Sequence, residues 1–444
     1  MSSVRIQQRR DTAANWTSVN PVLAEGEIGL ELDTDQLKVG DGSTAWSSLP
    51  YGGLQGEKGL AGTDGTNSGE SFTVVKGTGT ATENGTELVN VYNEAKLRTP
   101  YGNALSADNK FTIFIAPGTY TIGSQLAVNT DFINILSLDG TRSIDLTNGI
   151  NVTADNCHFK GIDVGTNSFN GCGDAPNLVV EKCKGGDYSF ASGLDQAGTY
   201  IDCEAGQGSF GNYTNASGTF TNCTAGIQSF GAYFGNASGV FINCTVGVDS
   251  FGDSQSFGSE GSVASGTFTN CTAGNVSFGF QEDASGTFTN CTAGNFSFGY
   301  YAEASGTFTD CTAGEQSFGV GFNTAASGTF TNCTAGNYSF GGDLSSASGT
   351  FTNCTGAYSS FGDSFVASGI FIDCTGEDVS FGRDADTSGT FINCTGGNDS
   401  FGDGGTLSGK VFYSRMTSGT FPTPSSGGVI RMSIDGNNNE VNAG

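Results

Sequence analysis

Side chains that could do chemistry are few and scattered. The single histidine, His158, has no cluster of aspartates around it, and no CxxC motif occurs among the thirteen cysteines. A zinc site therefore has little to build on, and no metal ligands are assigned. Carboxylates are plentiful, with 44 acidic against 17 basic residues. Two of them, Asp283 and Glu303, stand one repeat apart, and a pair of carboxylates across a gap is the equipment of glycoside cleavage. In so acidic a chain such pairs arise by chance, and the segments around them are too alike to single one out. No catalytic residue and no cofactor is assigned.

The cysteines follow a different logic. Cys157, Cys183, Cys203, Cys223, Cys244, Cys271, Cys291, Cys311, Cys333, Cys354, Cys374 and Cys394 fall in line when Ser285–Gly299 (SGTFTNCTAGNFSFG) is slid along the chain; only Cys172 is out of phase. From Cys183 onward the steps are 20 to 22 residues, with one of 27. An odd count at nearly regular spacing is not a disulfide framework, and the thiols read as small buried hydrophobes. A period near 20 without helical patterning suits one coil of a parallel β-helix.

Within a unit, Thr287-Phe288-Thr289 alternates as a strand does, with the Phe inward. Cys291 lies three residues further on, so a turn at Asn290 is needed to bring it inside, and Asn tolerates the left-handed conformation. The same corner is Asn222, Asn243, Asn270, Asn332, Asn353 and Asn393, with Asp202, Asp310 and Asp373 substituting. Stacked side chains there are expected to form a structural ladder, whose loss would leave buried backbone polar groups unpaired. Cys291 to Ala293 reads as a second strand and Ser297-Phe298-Gly299 as a third. Two phenylalanine files result, one through Phe288 and one through Phe298. The N-x-S/T matches in each unit belong to the ladder rather than to glycosylation.

Composition agrees: 71 glycines, 34 phenylalanines and only 7 prolines are too aromatic for disorder and too glycine-rich for helices. The net charge is −27, and no Lys or Arg occurs between Gly185 and Gly382. Phosphate contacts need cations, so nucleic acid is excluded as a partner. No signal peptide is visible, and no apolar run approaches a membrane span, so synthesis in a reducing cytoplasm without membrane insertion is expected.

Residues Asn84 to Leu97 read as an amphipathic helix with Leu88, Val91, Tyr92 and Ala95 on one face. Then follows KFTIFIAPGTYTIGSQL, whose Pro117 to Tyr120 resemble the PGTY at the entrance of the pectin-lyase-like β-helix superfamily. The resemblance spans roughly residues 84–409 and implies a fold rather than an activity. Val4 to Tyr51 has a different texture: a polar strand, a helix at Ala13 to Val19, a hairpin from Glu27 to Val39 and a tight turn at Gly40-Asp41-Gly42. Arg9-Arg10-Asp11, Trp16, Leu23 to Glu31, Asp33-Thr34 and Lys38 to Ser43 resemble the N-terminal domain of phage tail fibres in the major tropism determinant and phage hyaluronidase families. That resemblance implies a trimer whose N-terminal domain faces the virion.

The expected fold is thus all-β: a right-handed parallel β-helix of about 20-residue coils, with a small N-terminal trimerisation domain and a collagen-like neck. The domains are 1–52 for virion attachment, 53–68 for the Gly-X-Y neck, 69–409 for the β-helix with its capping helix, and 410–444 for a C-terminal tip with a hairpin turning at Asp435-Gly436. Glycine at every third position from Gly53 to Gly65 carries the neck.

Three functions compete. The first is a non-catalytic, homotrimeric receptor-binding fibre of a phage tail, joined to tail or baseplate proteins and reading a host surface glycan. Its candidate residues lie where units vary, between SFG and SG: Tyr213, Tyr233, Phe234, Phe280, Tyr300, Tyr301, Phe322 and Phe365. The second is a tailspike depolymerase, a glycosidase or lyase; the related lyases need an Arg base, and the regular coils offer none before Arg383. The third is ice binding by the repeated T-x-T face, which Val240/Ile242 and Ile370/Ile372 interrupt as if to pack against another subunit. Asp253, Asp363 and Asp403 follow SFG, but on rungs that are not adjacent, and they read as solvated charge rather than calcium ligands.

Overall fold

The computed structural model describes residues 8–52, 70–166, 169–173, 175–190, 195–211, 213–231, 235–247, 263–342, 344–362, 366–383, 386–402, 404–425 and 427–444. The collagen-like segment, Tyr233, Phe234, Phe365 and the three aspartates after SFG lie outside them. The chain forms two compact units, 1–66 and 67–444.

In the first unit, β1 (Gln8–Asp11) runs parallel to β2 (Ile28–Glu31), which pairs antiparallel with β3 (Leu37–Val39), and β4 (Tyr51–Gly52) closes the sheet. Helix α1 (Ala13–Val19) starts where Thr12 accepts the Asn15 N–H and stops at Asn20, which is left-handed at φ 42°. Its inward residue, Trp16, stacks on Trp46 at 4.1 Å, and Leu23 and Leu49 complete the core. Lys38 is buried but satisfied: its Nζ donates to the Trp46 carbonyl at 2.8 Å and sits 4.3 Å from the centre of the Tyr51 ring. The helix and the hairpin fall where the sequence puts them.

The second unit is a parallel β-solenoid of about 18 turns. Strand β5 (Phe72–Val75) pairs in parallel with β6 (Phe111–Ile115), and α2 (Ala81–Ala95) lies between them in the chain. The helix begins three residues before the expected Asn84, at a capping box in which Thr80 and Glu83 satisfy each other's backbone N–H. It buries Leu88, Tyr92 and Ala95 against the first coil, with Val91 half-buried. At Gly85 a Cβ would lie 2.1 Å from the Thr121 carbonyl oxygen, so only glycine lets the helix approach so closely.

Beyond this entrance the coils stack in register. Thr287–Thr289 pairs with Thr267–Thr269 on one side and Thr307–Thr309 on the other, aligning Phe268, Phe288 and Phe308. Successive rings along this file are near-parallel; Phe268 and Phe288 are 4.8 Å apart with planes 3° off. The glycine before each of these strands is also dictated by stacking: a Cβ on Gly286 would lie 2.3 Å from the Gly266 oxygen.

Two expectations change. Ser297-Phe298-Gly299 is not a third strand. Phe296, Phe298 and Gly299 are left-handed, at φ 60°, 55° and 82°, and the same pattern recurs at Val276, Phe278 and Gly279. Period 2 explains why: Ser297 and Phe298 are consecutive and both fully buried, which no strand allows. Left-handed residues turn the chain at each step and send both side chains inward. The second change concerns the C-terminal end. Stacking does not stop at Gly409, because Lys410–Phe412 pairs with Thr390–Ile392 and Val429–Ile434 pairs with Lys410–Phe412. What ends there is the use of Phe in the file, replaced by buried Val411 and Ile430. Val429–Ile434 then folds back antiparallel on Glu440–Ala443, the closing hairpin the sequence indicates.

Candidate recognition ridge

Between the Ser-Phe-Gly bends and the next Ser-Gly the coils differ, and here aromatic rings reach the surface. Phe280 stacks on Tyr300 at 5.6 Å, one coil on, and Tyr300 meets Tyr301 at 4.3 Å. A fourth ring, Phe296, lies 4.9 Å from Tyr300. Its position precedes the buried Ser-Phe pair, and the strand reading of that segment hid its outward direction. Tyr301 is 54% exposed and Phe322, one coil further, 74%. A Cβ on Gly321 would lie 2.7 Å from the Tyr301 Cα, so the next coil runs directly over that residue. Tyr213 is exposed on an earlier coil, and Tyr338 and Tyr358 form a further edge-to-face pair at 5.7 Å.

The carboxylates beside these rings have structural work. Asp283 Oδ1 accepts the Glu303 N–H at 3.0 Å, and Ser327 Oγ donates to Glu303 Oε2 at 3.4 Å. The same rung recurs where Asp195 accepts Asn215 N–H, Asn215 accepts Asn236 N–H and Asn236 accepts Val263 N–H. A separate file runs through Asn275 and Asn295, which accept the N–H of Asn295 and Glu315.

At the corner between the first two strands, Asn222, Asn243, Asn270 and Asn290 each donate Nδ2–H to the side chain one coil back, at 2.8 to 3.0 Å. Asn332 bonds Asp310, Asn353 bonds Asn332 and Asn393 bonds Asp373. All these residues are left-handed, near φ 54°. The corner is exposed, however, and the Asn290 backbone N–H pairs with Thr309 O at 2.9 Å whatever the side chain does. Its side chain therefore protects no buried backbone group, contrary to expectation.

All thirteen cysteines are free and buried. The thiol of Cys291 lies 3.5 Å from the carbonyls of Phe268 and Thr289, and the adjoining Cys271 thiol together with burial pushes it up to about 12. Burial is what all thirteen share, and it withholds them from reagents in solution. His158 lies 3.4 Å from Glu181, and burial pushes its pKa below the usual imidazole range. Around it, Lys160 pairs with Glu181 at 2.7 Å, and Arg142 and Lys184 with Glu204 at 2.7 and 2.8 Å.

Surface hollows also open away from the ridge. One of about 420 Å³, between α2 and residues 121–127, has no carboxylate in its lining. Another of about 480 Å³ holds Asp202 and Glu204, the first bonded by Asn222 and the second by Arg142 and Lys184. Among the described residues no three His, Cys, Asp or Glu side chains are grouped to hold a metal ion, and no helix is long and apolar enough to cross a membrane.

A small mixed sheet packed on two tryptophans, followed in the chain by a long parallel solenoid, is the architecture of phage tail-fibre and tailspike proteins. Residues 6–44 match the major tropism determinant N-terminal domain. A protein of Streptococcus pyogenes phage H4489A described as a hyaluronoglucosaminidase is 44% identical over 48 residues, 11% of this chain and 13% of that relative. The match thus spans only a small part of the relative's length. No solved structure matches the chain.

Proposed function

We propose that this protein is a homotrimeric host-recognition fibre of the phage virion. Its N-terminal unit joins tail or baseplate proteins, and its solenoid binds a surface glycan without cleaving it. The observation that carries this reading is the cluster of Phe280, Phe296, Tyr300 and Tyr301. The core already has its own aromatic files, so these rings are spare apolar surface on the coils that also carry Glu282, Asp283 and Glu303. Flat rings stack on the apolar faces of sugars, and adjoining carboxylates and amides accept from or donate to the hydroxyls.

Cleavage is the second reading, a tailspike glycosidase or lyase, and the activity named for the streptococcal phage relative favours it. Against it, Asp283 is committed to the next coil's backbone and Asp202 and Glu204 are already paired. Incubating the purified protein with hyaluronan and with host surface glycans separates the two. Retention of glycan without new reducing ends or unsaturated products supports a binding fibre; release of either product sinks the non-catalytic reading.

A further inference from the structure

We infer that the Ser-x-Thr-x-Thr face of the solenoid is where one copy of the chain packs against another. This rests on the homotrimer reading above and adds the surface that holds the trimer together.

The argument starts from charge. Each copy carries a net −27, so copies approach closely only through surface that has no carboxylates. The five-residue segments from Ser217–Thr221 to Ser388–Ile392, one per coil over nine coils, contain no ionisable side chain. Their outward positions are all Ser, Thr, Val or Ile. In-register parallel pairing stacks them into one flat strip, about 38 Å long at roughly 4.8 Å per coil. The ridge is different, with Glu282, Asp283 and Glu303 on neighbouring coils.

The strip also holds apolar surface that water does not favour. Val240 and Ile370 are 39% and 47% exposed in a column that is otherwise mostly Thr. Ile372 pairs in register with Ile392, so the apolar residues are contiguous across two coils. Threonine, valine and isoleucine are stiff at χ1 and lose little freedom when covered. Within the strip's own columns charge returns only at the two ends; along its edges Asp310 and Asp373 are bonded by the corner asparagines and Glu303 by Ser327. Toward the N-terminal end, Lys160, Glu181, Lys184, Glu204 and Arg142 neutralise one another in short ion pairs. Toward the C-terminal end, Lys410 enters the same column.

The buried native thiols make a clean probe, since an introduced cysteine is the reactive one. In the full-length protein, Thr287→Cys should react with a maleimide more slowly than Glu282→Cys on the ridge, by an order of magnitude or more. A second variant, Thr287→Asp with Thr307→Asp, should part the solenoids, so that an added Thr329→Cys labels as fast as Glu282→Cys, while β circular dichroism is kept because Phe288 and Phe308 are untouched. Should that variant fail to fold, the labelling ratio still decides. Light scattering on the parent distinguishes the two levels of failure. A monomeric parent removes the homotrimer reading and this inference with it. A trimeric parent in which both introduced cysteines react equally fast overturns the face alone, and leaves the strip open to ice or another ligand.

Discussion

The rings of Phe288 and Phe298 meet edge to face at 5.4 Å, with planes 86° apart. Each also stacks on its counterparts one coil away, so Phe288 touches Phe268 and Phe308 face to face and Phe278 and Phe298 at their edges. Both favoured aromatic geometries are thus met by one side chain, each worth about 0.5–1.5 kcal/mol beyond burial. Two files at right angles make the solenoid core a continuous aromatic lattice.

Removing one ring from that lattice opens a cavity that neither neighbouring coil can fill. Phe288→Ala should cost roughly 3–5 kcal/mol of stability. Thermal or denaturant unfolding checks this. A variant that melts with the parent would show that the ring is not core.

A buried serine file runs beside the second phenylalanine file. Ser277 N–H donates to Ser297 Oγ at 3.3 Å, and Ser297 N–H to Ser317 Oγ at 3.3 Å. Ser317→Ala removes the acceptor of the buried Ser297 N–H, at about 1–3 kcal/mol. Glu282→Ala, on the exposed ridge, should lie within about 0.5 kcal/mol of the parent. Equal melting of the two variants would remove the serine file's role.

How much of this was legible follows from backbone conformation. The Thr-Phe-Thr strands, the cysteines and the Asn290 corner obey period 2 and the known tolerance of Asn for left-handed φ, so spacing alone places them. Phe298 breaks both rules, being a bulky left-handed residue, and nothing in its own identity announces it. The clue lay in its neighbour: a serine before nearly every such Phe is a buried partner, not a surface residue. The ridge was readable as variable length, but Phe296 was not, because its direction depends on that same bend. The corner was placed correctly in conformation and wrongly in depth, because spacing does not tell a buried ladder from an exposed one.

That difference in depth revises what the corner residue contributes. Asn290→Leu keeps the backbone bond to Thr309 and loses an exposed side-chain bond and the left-handed preference. The expected cost is about 1–2 kcal/mol, mostly conformational. Asn290→Gly should recover most of it, since glycine adopts this φ freely. A Gly variant as unstable as the Leu variant would show instead that the side-chain ladder carries the energy.

The ridge should govern attachment without supporting the rod. Phe280, Tyr300 and Tyr301 pack on one another at the surface, while the coils beneath are held by Phe278, Phe298 and Phe318. Changing the first three to Ser removes the surface cluster and leaves the interior lattice complete. The melting temperature should therefore stay close to the parent's, and binding to host cells or their isolated glycans should fall by tenfold or more, about 1.4 kcal/mol per decade. Adsorption of the labelled protein to host cells, with unfolding measured on the same preparation, reads both quantities. Loss of the trimer with attachment retained would assign those rings to the subunit contact. The glycan site would then have to be sought around Asp435 to Asn442, where the hairpin ends the solenoid and Asp435 accepts the backbone N–H of Asn437 and Asn439.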